Sequence, residues 1–554
     1  MSLLKSVLHD KELKRFNDEF STDDVLTYIQ QALRYFDVGV DVNTQHHIPK
    51  LGRVILIANH PIGPLDALAL LDVIACIRSD IKIIDKQILS SMPPLSALTL
   101  PYEPSSAQTK PQFDQICQHL EAEGLLVVFP ARDIFSLSPL SMKDSAWQPD
   151  FLNIAEQSSA PILPVHISPK ASALFYSLSI FSKPLSTFLL LQRLFKETLK
   201  NQFLAPSKHA EDTVAIKIGE LIDPQAHENL SLPIKTKIKL FQKQVYRIGR
   251  DKPSLFRTLT SIAAPEDRTQ LKQQVEACES LGETRDNKKI FLFHSQTDSV
   301  LMREIGRLRE EAFRLIGEGT GNARDLDTYD QHYMHIVLWD EDALEVVGAY
   351  RLCATHNESH LYTATLFNYN DETQQIIQSG LELGRSFIQP KYWGSRSLEY
   401  LWYGIAAFLR RNPQYRYLLG AVSISNTFSR PAKDLIVGYY QRYYADSKGL
   451  MLSSKRPYTI DNTARQKINQ LFQDKPAKEA FSVLKAQLRH LGYSVPTLYK
   501  QYADLTTQGG TRFLGFNIDP DFNDCVDGLV VVDLKQMSSL KRKRYGLLEH
   551  EPGC

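Results

Sequence analysis

The chain has 554 residues, of which 43% are hydrophobic and 23% charged, a composition typical of a globular protein with two to four domains. Its 64 Lys and Arg residues nearly balance its 63 Asp and Glu residues, which argues against a nucleic-acid-binding protein. The six cysteines are scattered, so the pattern favours neither a disulfide framework nor a metal site. The sequence shows no signal-peptide pattern and no apolar run of membrane-spanning length.

The first half of the chain alternates short apolar runs with helical stretches, which is typical of an α/β layered domain. Residues 256–287 are more polar, and we assign them to a linker with a predicted helix over Leu271–Leu281. A second alternating block begins at Ile290. The sequence therefore predicts a two-domain α/β chain, with domains at residues 1–255 and 288–554. The predicted strands of the first domain are Val54–Ala58, Ile81–Ile84, Leu125–Phe129, Ile162–Ile167 and Val214–Ile218.

The turn after the first of these strands carries two candidate catalytic residues, His60 and Asp66. Two prolines and a glycine lie between them, so we expect a turn up to about Asp66 and a helix after it. The carboxylate can hold one ring nitrogen of His60 as N–H, which leaves the other nitrogen free to take a hydroxyl proton. From the residues alone, a His60 that only caps the helix is an equal alternative.

The run Asn-His-Pro-x-Gly-x-x-Asp at Asn59–Asp66 resembles the first motif of the glycerolipid O-acyltransferases. The spacing of six residues between His and Asp is similar to that of a bacterial branch labelled hemolysin and of the N-terminal half of bifunctional ornithine-lipid synthases. The resemblance implies that His60 and Asp66 activate an acyl-acceptor hydroxyl group, and that Asn59 and Gly63 belong to the substrate site.

A second signal in the first domain is the turn Phe129–Arg132, which follows another apolar strand. Arginine binds phosphate in a bidentate manner, so Arg132 suits an anionic head group. The turn resembles the Phe-Pro-Glu-Gly motif with which the O-acyltransferases hold the acceptor, and this implies binding roles for Pro130 and Arg132. Ala131 and Arg132 replace the acidic residue and the glycine of that motif, so the identity of the acceptor stays open.

The segment Leu174–Phe203 combines bulky apolar residues with interspersed cations. Such a segment can lie in a membrane interface, with its cations toward anionic head groups. The alternative is a helix that covers the sheet. The acyltransferase resemblance favours the interface, and we expect peripheral attachment to the cytoplasmic face of a bacterial inner membrane.

The second domain carries a different set of candidate residues. Arg309 and Phe313 are four residues apart and share a helix face. Asp327 and Asp330 follow in a polar stretch, which we interpret as a solvated loop that can meet a cationic ligand. Solvated charges and structural salt bridges explain these residues equally well one by one. Further charged or polar candidates in apolar runs are Arg351, Glu382, Arg385 and Ser386.

Taken in order, these residues resemble the N-acyltransferases that make lyso-ornithine lipid and, more distantly, the acyl-homoserine-lactone synthases, both GNAT-like. The resemblance implies attack of an amine on a thioester, with Arg309, Phe313 and Ser386 at the substrate site. Glu382 would act as base, although a salt bridge from Glu382 to an arginine is an open alternative. Arg351 or Arg385 would bind an amino-acid carboxylate, and Asp327 and Asp330 would meet amino groups.

The acyl donor is expected to be acyl carrier protein, with acyl-CoA as the alternative and no bound cofactor or metal. The pyrophosphate-binding loop of coenzyme-A-dependent GNAT enzymes is absent, and Trp393–Ser397 is a poor substitute. Carrier proteins are acidic, so we predict a docking patch at Lys391, Arg396, Arg410 and Arg411. The run Lys541–Arg544 suits an anionic membrane, a carrier protein or a solvated tail.

Together these patterns predict a bifunctional ornithine-lipid synthase. The second domain would N-acylate an amino acid such as ornithine with a 3-hydroxyacyl group, and the first would esterify that hydroxyl group at the membrane surface. This order follows because the ester needs the hydroxyl group that the first acyl chain brings. The alternatives are a lysophospholipid acyltransferase fused to another acyl-amino-acid synthase, and a non-enzymatic membrane-binding protein.

Overall fold

The computed structural model describes residues 24–35, 38–59, 64–85, 93–102, 109–131, 146–170, 212–228, 232–295, 299–356, 361–446 and 452–547, and the single residues 16, 20, 22 and 230. It divides the chain into two compact units, Met1–Ser261 and Ile262–Cys554. Both are mixed α/β units, as the sequence predicts, and each is described by itself.

The first unit is built on a mixed sheet. Its described strands are β1 (Val38–Val42), β2 (Val54–Ala58), β3 (Ile81–Asp85), β4 (Thr99–Pro101), β5 (Leu125–Val128), β6 (Ile162–Lys170), β7 (Asp212–Ile218), β8 (Leu221–Ile222) and β9 (Thr258–Leu259). The strand order is β1-β7-β6-β2-β5-β3-β4, with β8 paired to β6 and β9 paired to β8. The described helices are α1 (Val25–Tyr35), α2 (Pro64–Ala75), α3 (Thr109–Glu121), α4 (Asp150–Ser158), α5 (Pro224–Glu228) and α6 (Ile234–Ile248).

The central strands β2, β5 and β6 run parallel and are buried on both faces. Alternate residues of β2 therefore face two different cores. Val54, Leu56 and Ala58 pack with α1 and α2, whereas Ile55 and Ile57 pack with α3, α4 and α6. Parallel neighbours bring their carboxyl ends to one edge of the sheet. The turns that follow β2 and β5 therefore start at the same edge.

The second unit contains a larger, mostly antiparallel sheet. Its strands are β10 (Glu279–Glu283), β11 (Lys288–His294), β12 (Met334–Asp340), β13 (Glu345–Ala354), β15 (Gly380–Ile388), β16 (Tyr417–Ile424), β19 (Cys525–Asp533) and β18 (Thr511–Asp519), in that order across the sheet. A separate pair is formed by β14 (Phe367–Asn368) and β17 (Ser453–Ser454). The described helices are α7 (Arg268–Glu276), α8 (Val300–Leu315), α9 (Gln374–Gln378), α10 (Ser397–Arg411), α11 (Arg430–Tyr443), α12 (Asn462–Phe472), α13 (Ala477–His490), α14 (Thr497–Ala503) and α15 (Ser539–Tyr545).

Two irregularities in this sheet create a space at its centre. The parallel strands β15 and β16 pair only from Gly380–Glu382 to Tyr417–Leu419 and diverge beyond that point. On the other side of β15, Arg385 and Ser386 both lie opposite Tyr350 of β13, which is the pattern of a β-bulge. Arg385 has a φ of 47°, in the left-handed region. The bulge therefore redirects the chain next to the point of divergence.

Most predicted elements of the first unit are confirmed, with shifted ends. All five predicted strands are present. The helix predicted from about Asp66 begins at Pro64, because proline is tolerated in the first turn of a helix, where its missing N–H has no partner to lose.

The segment assigned to a linker is divided between the units: residues 256–261 belong to the first unit and residues 262–287 to the second. Its predicted helix, Leu271–Leu281, is instead helix α7, which ends at Glu276, followed by the edge strand β10. Leu281 is the one buried residue of β10, and the stretch forms an edge strand through its antiparallel pairing with β11.

No helix in the described ranges combines the length and the apolar character that crossing a membrane requires. The predicted interfacial segment Leu174–Phe203 lies outside the described residues.

Candidate active site

In the first unit, Asn59 fixes the start of the turn that follows β2. Its side-chain oxygen accepts a hydrogen bond from Ile167 N (2.7 Å), and its side-chain nitrogen donates to Ile167 O (2.8 Å). The buried amide thus continues the pairing of β2 with β6 beyond Ala58. His60 and Gly63 lie outside the described residues, and Asp66 is placed only by its backbone in helix α2.

The turn after β5 is held by contacts to the start of α4. Pro130 is buried, and its carbonyl accepts a hydrogen bond from Gln148 N (2.9 Å). Ala131 forms a β-bridge with Trp147, whose ring packs edge-on against Phe151. Arg132 lies outside the described residues. The described parts of both motifs thus begin at the same edge of the sheet.

In the second unit, three arginines and three aspartates form a buried ion cluster, which consists of Arg309, Arg351, Arg385, Asp325, Asp327 and Asp330. Arg309 donates both terminal nitrogens to the Asp330 carboxylate (2.8 and 2.7 Å) and its Nε to Asp325 (3.1 Å). Arg351 Nη1 donates to both oxygens of Asp327 (2.7 and 2.9 Å) and to Asp330 (3.1 Å). Arg385 lies 3.6 Å from Asp325 and 3.7 Å from Asp327.

The prediction that Asp327 and Asp330 lie in a solvated loop is wrong. Asp330 is buried, and Asp327 is half-buried. They form a capping box at the start of one short turn, because the Asp327 carboxylate accepts from Asp330 N (3.1 Å) and the Asp330 carboxylate from Asp327 N (2.9 Å). The remaining oxygen capacity is used by the guanidinium groups. Burial without these partners would cost several kcal/mol per charge, of order ~5.

The cluster keeps its carboxylates ionised. Burial opposes ionisation of Asp330, but the Arg309 guanidinium and other hydrogen-bond donors outweigh it and hold the pKa of that carboxyl well below its ordinary value. Burial also opposes ionisation of Asp327, and Arg351 outweighs it, so the pKa of Asp327 is lowered. His335 lies 3.3 Å from Asp330, and burial lowers the pKa of its imidazole. The cluster is therefore a set of fixed charges.

Two arginines of the cluster each have an Nε–H donor that makes no hydrogen bond among the described residues. The Nε atoms of Arg351 and Arg385 are buried and have no hydrogen-bond partner within the described part of the chain. Aromatic rings surround both side chains: the Arg385 guanidinium lies 4.3 Å from the ring centre of Phe522 and 4.8 Å from that of Tyr362. Phe313 in turn packs edge-on against Phe522 (5.0 Å). A carboxylate that enters this site would find an unused N–H donor at Arg351, whereas Nε of Arg385 faces the Asp325 carboxylate at 3.6 Å.

Glu382 is buried next to the cluster and has a different environment. Its carboxylate accepts hydrogen bonds from the Tyr333 hydroxyl (2.5 Å) and from Thr363 N (2.9 Å). Burial raises the pKa of Glu382. None of the ion pairs between described residues joins Glu382 to Arg351 or Arg385, so the salt-bridge alternative finds no support. Glu382 is also the last residue of β15 that pairs with β16.

Several functional-site candidates were not predicted from the sequence. Tyr333 and Tyr362 are aromatic residues in irregular stretches, and nothing in their spacing marks them. Three further buried carboxyls, Glu318, Asp519 and Asp527, lie at strand and helix ends nearby. Burial raises the pKa of Glu318 to about 7 and that of Asp527 well above its ordinary value. Acidic residues within the apolar run of β19 were the available signal for Asp527.

The predicted docking cations are all engaged by partners. Lys391 pairs with Glu345, Arg396 with Glu399 (2.9 Å), and Arg411 with Glu279; Arg410 donates to Tyr545 O (2.9 Å). In the basic run Lys541–Arg544, Arg542 donates to three backbone carbonyls and Arg544 pairs with Glu399. These residues therefore contribute to the second unit's own surface network.

Comparisons with known proteins identify both halves of the chain. A family described as "Acyltransferase" matches residues 1–226, and a family described as "Acetyltransferase (GNAT) domain" matches residues 308–403. The chain therefore combines an acyltransferase region with a GNAT-like domain. The matched GNAT range contains the ion cluster and Glu382, and the matched acyltransferase range contains both turns described above.

Individual relatives extend this result. A glycine N(alpha)-acyltransferase of Phocaeicola vulgatus is 29% identical over 306 residues, which is 52% of this chain and 93% of that protein. A lyso-glycine lipid O-acyltransferase of the same species is 21% identical, over 42% of this chain and 82% of that protein. An L-ornithine N(alpha)-acyltransferase of Rhodobacter capsulatus is 26% identical, over 45% of this chain and 92% of that protein. These relatives support acyltransferase activity, and they include both N-acyltransferases and an O-acyltransferase.

The buried carboxyl of Glu318 predicts a specific dependence of stability on pH. Its folded-state pKa of about 7 lies above the ordinary value of 4.5, so the stability it contributes is complete below pH 4.5 and is lost as pH rises through 7. The free energy of unfolding should therefore fall by roughly 2–3 kcal/mol between pH 5 and 8 in the wild type relative to Glu318→Gln.

Urea unfolding measured by tryptophan fluorescence tests this expectation, because three of the four tryptophans belong to the second unit. Glu372→Gln is the matched control, since Glu372 is exposed and its replacement should leave the pH dependence of the wild type intact. Parallel curves for the wild type and Glu318→Gln would contradict a protonated Glu318.

Proposed function

We propose that the chain makes an acylated amino-acid lipid in two steps that use both halves: the second unit forms an amide, and the first unit then forms an ester. The observation that carries this proposal is the position of Glu382. A buried carboxyl of raised pKa lies where β15 and β16 separate, beside arginines with unused donors. This is an arrangement for binding an amino acid and removing a proton from its amine.

The divergence of β15 and β16 supports a thioester arm as the acyl donor. Where two parallel strands separate, backbone N–H and C=O groups of both edges are open to a third, extended chain. The phosphopantetheine arm has two amides and can pair in this way. Its thioester would then lie near Glu382, at the point where the strands join. Acyl carrier protein is the proposed donor, and acyl-CoA carries the same arm.

The amino acid would be held by its carboxylate. The Nε donor of Arg351, which makes no hydrogen bond among the described residues, suits that group, and the Arg385 guanidinium adds positive charge beside it. The aromatic rings around both side chains exclude water. Asp327 and Asp330 remain ionised and hold the arginines in place. Because their charges are already paired with guanidinium groups, they would attract the substrate's ammonium group only as part of the cluster.

The chemical step then follows from these positions. Glu382 takes a proton from the substrate ammonium, directly or through a water molecule, and the amine attacks the thioester carbonyl. A backbone N–H of the bulge at Arg385 and Ser386 can stabilise the oxyanion. As the tetrahedral intermediate collapses, the C–N bond is retained and the C–S bond breaks. The first proton passes from Glu382 to solvent before the attack. Glu382 then takes a second proton from the nitrogen of the tetrahedral intermediate and gives it to the leaving thiolate, so that a neutral amide remains.

The first unit would esterify the hydroxyl group of the acyl chain added in the first step. His60 is the proposed base and Asp66 its orienting carboxylate, with Pro130 and Arg132 at the acceptor side. The turn that carries His60 follows a strand end fixed by the buried side chain of Asn59, which supports a defined position for this turn. The proposal also includes peripheral residence at the cytoplasmic face of a membrane, where a two-chain product is released.

The amino acid is proposed to be ornithine, with glycine as the second candidate. Three buried carboxyls lie beyond those of the ion cluster, at Glu318, Asp519 and Asp527. Burial raises the pKa of Glu318 and of Asp527, and a second ammonium group on the substrate would favour their ionised forms and pair with them. The relatives named for glycine favour the smaller substrate. Expression in a host without aminolipids, followed by mass spectrometry of extracted lipids, distinguishes the two by mass.

Glu382→Gln should abolish most amide formation, by a factor of about 10²–10⁴ expected for loss of a general base. The glutamine keeps an oxygen that can accept from Thr363 N, so the fold should be retained. Supplied lyso-lipid should still be esterified. Glu372→Gln, the same change at an exposed site, is the control. Amide synthesis at the wild-type rate by folded Glu382→Gln protein would refute the proposed base.

Tyr333→Phe should lower kcat for amide formation about tenfold, because a hydrogen bond to a charged group contributes about 1.5–3 kcal/mol. That bond favours the ionised carboxylate, so its loss should raise the pKa of Glu382 and move the acidic limb of the kcat–pH profile to higher pH. Tyr403→Phe is the control, since it removes a similar bond to Glu399 (3.0 Å). An unmoved acidic limb would show that Tyr333 does not position the base.

His60→Ala should stop the second acylation and cause the mono-acylated lipid to accumulate, because no base would remain to activate the hydroxyl group. Lipid mass spectrometry of the expressing host measures both products. His46→Ala, an exposed histidine of the same unit, should leave the product ratio unchanged. Wild-type amounts of the two-chain lipid from the His60→Ala protein would remove His60 from the mechanism.

A further inference from the structure

Helix α6 of the first unit carries a cationic groove on its outer face. The groove is an open cavity of about 360 Å³, and its charged lining residues are Lys239, Lys243, Arg247, Arg250 and Lys252. The first three are spaced four residues apart on α6, and the other two lie in the turn that follows it. This spacing places the α6 cations in one stripe along the helix.

The charge of this region is concentrated and unbalanced. Residues 232–257 contain eight lysines and arginines but one acidic residue, Asp251, in a chain whose net charge is +1. Asp251 pairs with Lys217 outside the groove (2.7 Å). Within the described ranges, none of the five groove cations forms an ion pair with a carboxylate. The groove is therefore a concave surface whose charge the described protein does not neutralise.

The groove is also held in a fixed shape. The opposite face of α6 is anchored in the core by Ile238, Phe241 and Val245. Arg247 donates two hydrogen bonds to Pro253 O (3.0 and 2.8 Å), which ties the helix to the turn beyond it. The backbone that carries the cations and the Arg247 side chain are therefore fixed, whereas Lys239, Lys243, Arg250 and Lys252 are exposed side chains.

The inner wall of the groove connects it to the candidate catalytic edge. Tyr246 lines the groove, and its ring packs on His166 of β6 (5.6 Å). Burial, together with Lys217 and Arg250, lowers the pKa of His166 to about 4, as expected beside uncompensated positive charge. The next residue, Ile167, is the one bound by Asn59 at the end of β2. The groove thus lies one strand from the start of the turn that carries His60.

Exposed apolar residues flank the cations at both ends of the helix. Leu232 and Ile234 at the start of α6 and Leu255 after the following turn are 40%, 43% and 38% exposed. Cations with apolar neighbours and an aromatic residue are typical of segments that lie at a membrane surface. An acidic protein or a nucleic acid would use the cations but not these apolar side chains.

We propose that the cationic groove binds the phosphate of an anionic phospholipid head group and docks the first unit on a membrane surface. The phosphate would lie among Lys239, Lys243 and Arg250, and the flanking leucines and isoleucine would enter the layer below it. This docking would turn the edge of the sheet that bears the acyltransferase motifs toward the lipid phase. Binding to vesicles requires no turnover, so its failure and the failure of the proposed chemistry are distinguishable.

Vesicle sedimentation of the full chain tests the proposal. The wild type should bind phosphatidylcholine vesicles that contain phosphatidylglycerol and bind pure phosphatidylcholine vesicles much less. The triple variant Lys239→Glu, Lys243→Glu and Arg250→Glu should lose affinity for the anionic vesicles roughly a hundredfold, from the contribution of each basic residue near such a surface. Circular dichroism and thermal unfolding establish that the variant is folded.

A triple variant of Lys467→Glu, Lys478→Glu and Arg489→Glu is the matched control, because these exposed residues of the second unit give the same change in net charge. It should keep wild-type binding within about twofold, because the proposal assigns binding to the groove and not to the net charge of the chain. Equal losses in both variants, or wild-type binding by the groove variant, would overturn the proposal.

The remaining arms identify the source of the anion. Inorganic phosphate should compete with the anionic vesicles only weakly, because it lacks the apolar chains that Leu232, Ile234 and Leu255 would contact. Complete release by dilute phosphate would indicate a site for free phosphate and overturn membrane docking. If the groove variant loses affinity for an acidic acyl carrier protein but still binds vesicles, the groove is a site for a protein partner. That result would also overturn membrane docking.

Discussion

The pairing of three buried guanidinium groups with three aspartates is the interaction on which the second unit depends. It ties α8 (Arg309), the turn at residues 325–330, β13 (Arg351) and β15 (Arg385) to one another. Burying charges of both signs is costly, and a buried ion pair often contributes little net stability. Its geometric effect is larger: four separate parts of the chain meet in one arrangement, and removing any partner would leave an uncompensated charge.

The same arrangement produces two kinds of carboxyl group in a small volume. Asp330 is surrounded by guanidinium donors, and its pKa is held low. Glu382 receives one hydroxyl and one backbone N–H, and burial raises its pKa. Because the aspartates already form ion pairs with the arginines, Glu382 stays outside the cluster. Environment rather than residue type thus separates fixed charges from a group able to exchange a proton.

The sequence predicted the parallel strands of the first unit well, since buried strands are nearly continuous apolar runs, as in Leu125–Val128. It also identified five of the six charged residues of the cluster, all except Asp325. For Arg351 and Arg385 the signal was a charge within an apolar run, which is unusual. It failed on their environment: a run of aspartates near polar residues has the pattern of a solvated loop, and only tertiary contacts reveal that Asp330 caps a turn while it binds Arg309. Tyr333 acts through one hydrogen bond, which no periodicity encodes.

The contrast between paired and unpaired cations distinguishes the charged surfaces of the two units. The basic residues of the second unit that were predicted to form a docking patch are satisfied by its own carboxylates and carbonyls, such as Arg396 by Glu399. The five cations of the groove have no carboxylate partner in the described ranges, and a net charge of +1 for the whole chain conceals this difference. Folding alone gives no reason to gather like charges around a rigid cavity, because they repel one another. Because gathering these cations costs stability within the protein, we explain their arrangement by the ligand that binds there. A membrane with a negatively charged surface and an apolar interior pairs with the cations and also accommodates the leucines beside them.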